Sequence, residues 1–168
     1  MRELFANVEM LAVAAAAILL FFSFVARITV VDGGSMNDTL HHGDKLIVSD
    51  LFYTPKRGDV VIVQSPDVLD GKVIVKRVIA VEGDRIRVES DGVYVNDEKL
   101  EEPYLSETNK LHITTMPERT VDKGMVFLLG DNRNRSEDSR AFGQVDERAV
   151  VGKVLFRFAP FSAIGFVN

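Results

Sequence analysis

Residues 73–81, which read VIVKRVIAV, are the longest β-type run in the chain and decide its fold class. Six of these nine residues are Val or Ile, which are enriched in strands. The turn sequence Glu82-Gly83-Asp84 follows and ends the run. One charged pair, Lys76-Arg77, interrupts the apolar residues. The run therefore predicts a buried strand that carries a lysine and an arginine on opposite faces.

Shorter runs of the same kind recur along the rest of the chain, separated by turn residues, and predict further strands. They are Ile28–Val31, Lys45–Val48, Asp59–Gln64, Arg85–Glu89, Val93–Val95, Lys99–Leu100, Met125–Leu129 and Val150–Phe158. Asp91-Gly92 is a strong hairpin signal. Residues 102–120 are polar, contain two prolines and predict an irregular connection or flap. The pattern predicts a mostly β fold with one antiparallel β domain.

A hydrophobic segment precedes the β-type runs. Met10–Ala26 contains no charged residue, has a length near the lower limit for a spanning helix, and is followed by Arg27. A cleaved signal peptide would place small residues at its end, where Phe24 stands instead, and a buried core helix is the other alternative. We expect an uncleaved signal anchor over residues 1–27, a transmembrane helix, and a β-rich domain over residues 28–168.

Composition excludes several classes of site. The chain has 168 residues, a net charge of −5 and no cysteine, so it has neither the basic character of a nucleic-acid-binding protein nor a thiol nucleophile. Its three histidines are His41, His42 and His112. A zinc site would need a carboxylate as an additional ligand. The adjacent pair is interpreted as part of a solvated loop, and a Ser-His-Asp triad through His112 stays open.

Ser35 and Lys76 together are compatible with hydrolytic chemistry. Ser35 is preceded by Gly33-Gly34 and lies just beyond the hydrophobic segment. A serine hydroxyl needs a base, and lysine can be that base only when neutral, although its ordinary pKa is about 10.4. Apolar neighbours on one strand face, Ile74 and Val78, would bury the amine and lower the pKa of Lys76. Read singly, the two residues are better explained as a turn serine and a sheet-edge lysine.

A third segment changes this interpretation. Residues 130–140, GDNRNRSEDSR, are densely polar and come directly after a buried strand. A solvated loop has such a composition. Alternatively, Asp131, Asp138 and Arg140 can form an ion-pair network, with a serine of the same segment hydrogen-bonded to a lysine amine.

With these segments the chain resembles the type I signal peptidase family, in its short bacterial form with a single anchor. The resemblance rests on four blocks in the family's order behind an N-terminal anchor. They are residues 31–40 (VDGGSMNDTL), 57–61 (RGDVV), 76–80 (KRVIA) and 130–140 (GDNRNRSEDSR). A Gly-x-Ser-Met sequence alone is a weak signal, whereas four ordered blocks that cover nearly the whole chain are specific.

The resemblance implies a role for each matching residue. Ser35 would be the nucleophile and Lys76 the general base. Ser136 would orient the Lys76 amine, and the residues Asp131, Asp138 and Arg140 would hold the site together. The backbone N–H of Ser35 would contribute to the oxyanion hole. No metal or cofactor is implied, and the fold of the family is mostly antiparallel β.

Two positions depart from the family pattern. Some members add a serine hydroxyl to the oxyanion hole two residues before the nucleophile, where this chain has Gly33. Oxyanion stabilisation would then rest more on backbone donors or water. Asp38 stands where proline is common, which is expected to loosen the turn after the nucleophile without removing a chemical group. Lys76 itself is the bacterial form, since the endoplasmic-reticulum enzymes have histidine there.

The implied activity is serine acyl transfer that removes signal peptides from preproteins after small residues, typically in Ala-x-Ala sequences. The implied partners are preproteins, membrane lipid and a nearby secretion translocon, with no nucleic acid. The implied location is the cell membrane, with a single span and an extracytoplasmic catalytic domain. Two alternatives stay open: a self-cleaving repressor, which shares the Ser–Lys dyad, and an anchored β domain that only binds.

Overall fold

The computed structural model describes residues 7–16, 26–66, 69–110 and 113–167. Its helices are α1 (7–16), α2 (Glu107–Lys110) and α3 (Ser139–Phe142). Its strands are β1 (Arg27–Val30), β2 (Lys45–Ser49), β3 (Val60–Gln64), β4 (Val73–Val81), β5 (Arg85–Glu89), β6 (Gly92–Val95), β7 (Glu98–Lys99), β8 (Met116–Thr120), β9 (Met125–Leu129), β10 (Val145–Asp146), β11 (Val150–Ala159) and β12 (Gly165–Phe166).

The strands form two sheets. The larger has eight strands in the order β1-β2-β11-β3-β4-β9-β10, with β12 paired to β11. The smaller has four strands in the order β7-β6-β5-β8. All strand pairs among the described residues are antiparallel. The prediction of a mostly β, antiparallel fold is confirmed.

Strand β4, which has the sequence VIVKRVIAV, lies between β3 and β9 in the larger sheet. Its register places Lys76 opposite Val61 of β3, and Arg77 opposite both Val60 and Leu129. Residues 76–80 are all buried, because β4 has covered faces on both sides over this part of its length. The strand therefore carries two adjacent basic side chains into the interior.

Three apolar clusters surround this interior. One joins β4 and β9 to the smaller sheet and includes Ile79, Ile86 and Phe127. A second lies beneath the loop that carries Ser35 and includes Met36 and Leu40. The third is built on β3, β4 and β9. Because packed interiors permit little movement, these clusters hold the ends of several strands and loops in a fixed relation.

The predicted strands over 73–81, 85–89 and 125–129 have the same bounds in the structure. The predicted hairpin at Asp91-Gly92 is confirmed, since β5 and β6 pair with Glu89 opposite Gly92. The prediction of an irregular segment over 102–120 is wrong in part, because α2 and β8 lie within it. β8 reads MPERT and buries only Met116. It is an edge strand, where proline is tolerated, so it lacks the usual hydrophobic signal.

The predicted anchor is described only in part. Residues 7–16 are helical and exposed, whereas residues 17–25 of the segment Met10–Ala26 lie outside the described residues. Within the part of the chain that the structure describes, no helix has the length and apolar character needed to span a membrane. The division between residues 27 and 28 stays a prediction.

Candidate active site

Ser35 and Lys76 meet in the structure, although 41 residues separate them. The Lys76 Nζ lies 2.7 Å from the Ser35 Oγ, which is hydrogen-bond distance. Ser35 belongs to the turn that follows β1, and Lys76 lies in the middle of β4. A nucleophile and its base must be within this reach for a proton to pass between them.

The Lys76 side chain is almost completely removed from water, with a relative exposure of 3%. Burial lowers the pKa of Lys76 to about 8, against the opposing effects of the carboxylates of Asp138, Glu137 and Asp131. Desolvation disfavours the charged ammonium, so a substantial part of the amine is neutral in mildly alkaline solution. A neutral amine beside a serine hydroxyl can accept its proton.

Arg77, the next residue on β4, points away from Lys76 and pairs with Asp131. Its Nε and Nη2 donate to the two Asp131 carboxylate oxygens at 2.9 and 2.7 Å, and both side chains are buried. Thr39 donates its hydroxyl to the same carboxylate at 2.5 Å. The ring of Tyr104 lies over the guanidinium at 3.8 Å. Because Thr39 closes the Ser35 turn, this network attaches that turn to β4.

Asp138 and Arg140 form a second network. Arg140 donates from Nε and Nη2 to the Asp138 carboxylate, each at 2.8 Å. Asp138 also accepts the backbone N–H of Gly130 at 3.1 Å, and Arg140 Nη2 donates to the Arg133 carbonyl at 2.7 Å. The expected single network is thus two networks. Asp131 pairs with Arg77 of β4, because the chain after β9 turns its first carboxylate back toward the sheet.

Ser136 lies at the same place but makes no bond to Lys76 in this structure. Its hydroxyl is buried and has no hydrogen-bond partner among the residues that the structure describes. It packs against Gly130, and a side chain added at Gly130 would collide with both Ser136 and the carbonyl of Ser35. The role of Ser136 as the group that orients Lys76 stays a prediction.

Asn132 joins the polar segment to the turn that carries Ser35. Its backbone N–H donates to the Ser35 carbonyl at 3.0 Å, and its side-chain amide donates to the Gly34 carbonyl at 2.9 Å. Neither Asn132 nor Thr39 was predicted to have a role, although both lie inside the matching blocks. Their position within these blocks, close to residues with an implied role, was the signal in the sequence that could have identified them. Their contacts depend on how the Ser35 turn and the segment after β9 meet, which the sequence does not predict.

The turn before Ser35 has an unusual backbone. Gly33 has φ of +93°, a conformation that residues with a side chain rarely adopt. Its N–H donates to His42 Nδ1 at 3.2 Å.

The prediction that His41 and His42 belong to a solvated loop agrees with the structure, in which both side chains are exposed. His112 lies outside the described residues. The contribution of the Ser35 N–H to an oxyanion hole stays a prediction.

An apolar cleft of about 130 Å³ lies on the larger sheet. It is lined by residues of β1, β2, β3, β4 and β11, among them Ile28, Val48, Ile62, Val73 and Val151. The strands β1 and β4 that border it lead to Ser35 and Lys76 respectively.

Comparison of the sequence with known protein families identifies the family of this chain. Residues 4–159 match the model of the signal peptidase family, peptidase S26. This range includes Ser35, Lys76 and the whole segment 130–140. The match sets aside both alternatives of the sequence analysis, the self-cleaving repressor and the domain that only binds.

Individual relatives agree with the family. A probable signal peptidase I-1 of Synechocystis is 35% identical over 95% of this chain and 84% of its own. A signal peptidase IB of Staphylococcus aureus is 35% identical over 96% of this chain and 92% of its own. The crystal structure of a signal peptidase I from Enterococcus faecalis superimposes with a TM-score of 0.52 and 32% identity, covering 60% of this chain and 97% of that one. The chain therefore belongs to the peptidase S26 family, the serine peptidases of the signal peptidase I type that remove signal peptides.

Proposed function

We propose that this protein is a membrane-bound signal peptidase I in which Ser35 is the nucleophile and Lys76 the general base. The observation that carries the proposal is the 2.7 Å separation between a serine hydroxyl and a buried lysine amine. Nucleophile and base are in reach, and burial keeps the base partly neutral.

In the first half of the reaction, neutral Lys76 accepts the Ser35 proton while the Ser35 Oγ attacks the scissile carbonyl carbon. The resulting oxyanion is stabilised by the Ser35 backbone N–H, since Gly33 offers no side-chain donor. The tetrahedral intermediate then collapses to an acyl-enzyme, and Lys76 gives its proton to the leaving amine of the mature protein. The peptide bond is broken and the signal peptide stays esterified to Ser35.

In the second half, Lys76 accepts a proton from water, and the hydroxide attacks the ester carbonyl. The intermediate collapses, Lys76 returns the proton to Ser35 Oγ, and the signal peptide leaves with a free carboxyl group. The same amine serves as base and acid in each half, which suits a group whose pKa, about 8, lies near the working pH. We infer that Ser136 holds this amine during turnover, because its buried hydroxyl lacks another partner among the described residues.

The substrate is proposed to bind as an extended segment along β1. This strand pairs only with β2 among the described residues, so its other edge is open to a peptide backbone. Side chains of the segment would enter the apolar cleft between β1 and β4. Alanine and other small side chains are proposed to be favoured beside the scissile bond, as the resemblance to the type I signal peptidases implies.

The membrane assignment rests on the apolar segment Met10–Ala26 and on the family. We propose that residues 1–27 anchor the protein in the cell membrane and that residues 28–168 form the extracytoplasmic catalytic domain. Ser35 follows the segment by only nine residues, which keeps the chemistry near the lipid surface where a translocated signal peptide lies. Lipid and the secretion translocon are the proposed neighbours.

The proposal is tested with the full-length protein in lipid vesicles and a preprotein that has an Ala-x-Ala site, with products identified by mass. Ser35→Ala and Lys76→Ala are each expected to lower the cleavage rate by at least about a thousandfold. The exposed Ser162→Ala and Lys123→Ala are matched controls that should cleave normally.

The pH dependence gives a second readout. The value of kcat/KM should rise with pH and level off above about 8, since the reactive form is the neutral amine. Near-normal cleavage by folded Ser35→Ala or Lys76→Ala would show that the dyad assignment is wrong. A rate that keeps rising to the ordinary lysine pKa would contradict the buried base.

A further inference from the structure

Residues 102–110, here called the strap, contact the three segments that carry the site residues: β4, the polar segment after β9 and the Ser35 turn. Glu102 accepts two hydrogen bonds from the buried guanidinium of Arg133, at 2.9 and 2.5 Å. Tyr104 stacks on Arg77. The carbonyl of Thr108 accepts the side-chain amide of Asn134 at 3.2 Å. The strap is thus attached to β4 and to the polar segment that follows β9.

The strap also contacts the nucleophile turn, and Asp38 makes the contact. Asp38 Oδ2 accepts the backbone N–H of Ser106 at 2.8 Å and the side-chain amide of Asn109 at 2.7 Å. Asn109 is buried, with a relative exposure of 8%. Hydrogen bonds to an ionised carboxylate are stronger than those between neutral groups. One carboxylate therefore joins the Ser35 turn to the strap. Ser106 and Asn109 follow Asp38 by 68 and 71 residues in the chain.

Asp38 is three residues after Ser35, in the same turn. Within it, the Asn37 N–H donates to Gly34 and the Thr39 N–H donates to Met36. Asp38 has φ of +96°, a conformation that is unfavourable for a residue with a side chain and persists only where surrounding contacts hold it. Proline, whose φ is fixed near −65°, cannot adopt it. The expectation that Asp38 loosens the turn is not what its contacts indicate, because Asp38 attaches the turn to the strap.

We propose that Asp38 is a positioning residue, which holds the Ser35 turn in its reactive geometry by anchoring it to the strap through Ser106 and Asn109. This inference rests on the proposed function of Ser35 and Lys76. Asp38 does not touch the reacting atoms. Without it the turn at Met36–Asp38 relaxes toward more favourable backbone angles and displaces the Ser35 Oγ from the Lys76 amine. A displacement of about 1 Å is enough to lower a rate by a hundredfold.

The proposal predicts a particular pattern in the kinetics. Asp38→Ala should lower kcat about 10- to 100-fold with KM within about twofold, because the alignment of the nucleophile changes while the substrate cleft does not. Asp38→Asn keeps one acceptor oxygen and should lose less, about two- to fivefold. Asn109→Ala removes half of the link and should fall between them. The double variant Asp38→Ala/Asn109→Ala should be no slower than Asp38→Ala, since both substitutions break one link.

Asp97→Ala is the matched control. Asp97 is likewise an exposed aspartate with positive φ, at +70°, but its ion pairs are with arginines of the smaller sheet. It should keep the kcat of the unaltered protein. A direct readout of the link is amide hydrogen exchange in the strap, measured by mass on the full-length protein in detergent. Exchange at Ser106 should become faster in Asp38→Ala and stay unchanged in Asp97→Ala.

The outcomes separate this inference from the function on which it rests. If Ser35→Ala still cleaves, the proposed function fails. If Ser35→Ala is inactive but Asp38→Ala keeps kcat within about twofold, the positioning role alone is overturned. Unchanged exchange at Ser106 would also overturn it, because the link would then be absent. If Asp38→Ala does not fold, Asp38→Asn and Asn109→Ala decide: normal kcat in both contradicts the proposal.

Discussion

Two of the arginine–carboxylate pairs in this molecule, one beside the active site and one on the smaller sheet, differ sharply in their exposure to water. Beside the active site, Arg77 and Asp131 pair with side-chain exposures of 1% and 0%. On the smaller sheet, Arg85 and Asp97 pair with exposures of 47% and 62%. The chemical groups are the same. Water surrounds one pair and is excluded from the other.

The difference in burial determines what each pair contributes to the structure. An exposed pair is screened by water and salt, so it contributes little and leaves its side chains free to move. A buried pair has no alternative partner, so each side chain is held where its counterpart lies. The segment that carries Asp138 meets β4 through the buried pair of Asp131 and Arg77, and the Ser35 turn joins that pair through the Thr39 hydroxyl. This buried pair therefore fixes both segments relative to β4.

The largest expected effect comes from breaking a buried pair. Arg77→Ala leaves the Asp131 carboxylate buried without its guanidinium and should lower the free energy of unfolding by about 3–5 kcal/mol. Denaturant unfolding in a common detergent measures it. Arg77→Lys should recover little of the lost free energy of unfolding, because an ammonium does not reproduce the bidentate contact of a guanidinium. A loss below about 1 kcal/mol would show that burial does not separate the two regions.

A smaller effect on the free energy of unfolding, of opposite sign, is expected at Lys76. The hydrogen-bond partner of its buried amine is a serine hydroxyl and not a carboxylate. The pKa of Lys76 falls from 10.5 to about 8, so protonation at neutral pH disfavours the folded state by up to about 3 kcal/mol. Lys76→Met should be inactive yet more stable than the unaltered protein near pH 7.

The sign of the pH dependence checks this prediction. Between pH 8 and 10.5 the unfolded chain binds the Lys76 proton and the folded protein does not, so the unaltered protein gains stability as pH rises. The advantage of Lys76→Met should therefore shrink over this range. An advantage that is independent of pH, or a variant less stable at pH 7, would contradict it.

The smallest effect is expected on the smaller sheet. Arg85→Ala removes exposed contacts with Asp97 and Glu118 and should cost about 0–1 kcal/mol, less still in high salt. The same unfolding measurement applies. A loss in free energy of unfolding as large as that of Arg77→Ala would contradict the expected difference between the buried and the exposed pair.

Much of the fold could be predicted from local sequence. The strands over 73–81 and 125–129 were located with their bounds because each is an apolar run closed by turn residues, and the strand over 85–89 because charged and apolar residues alternate in it. β8, β10 and β12 were not predicted. β10 and β12 have two residues each, and β8 is an edge strand with one buried residue; all three are strands because β11, β9 and β5 provide hydrogen-bond partners.

The candidate site was predictable as a set of residues and not as a set of contacts. Ser35 and Lys76 were singled out from their neighbours and from the resemblance, and the structure places them together. The pairing of Asp131 with Arg77 and the link from Asp38 to the strap were not foreseen. Each joins segments more than 50 residues apart, and no local pattern specifies which polar group a carboxylate will meet.

The sequence by itself determined the strands, the turns and the residue types available for chemistry, because backbone preferences and hydrophobic periodicity act over a few residues. Only the tertiary structure decided which loops meet, which charges are buried and how far the pKa of Lys76 falls. Those properties depend on antiparallel register and on the exclusion of water by distant segments. The nine residues VIVKRVIAV predicted a strand, and the packing of β3, β9 and the Ser35 turn around it buried the lysine beside the serine.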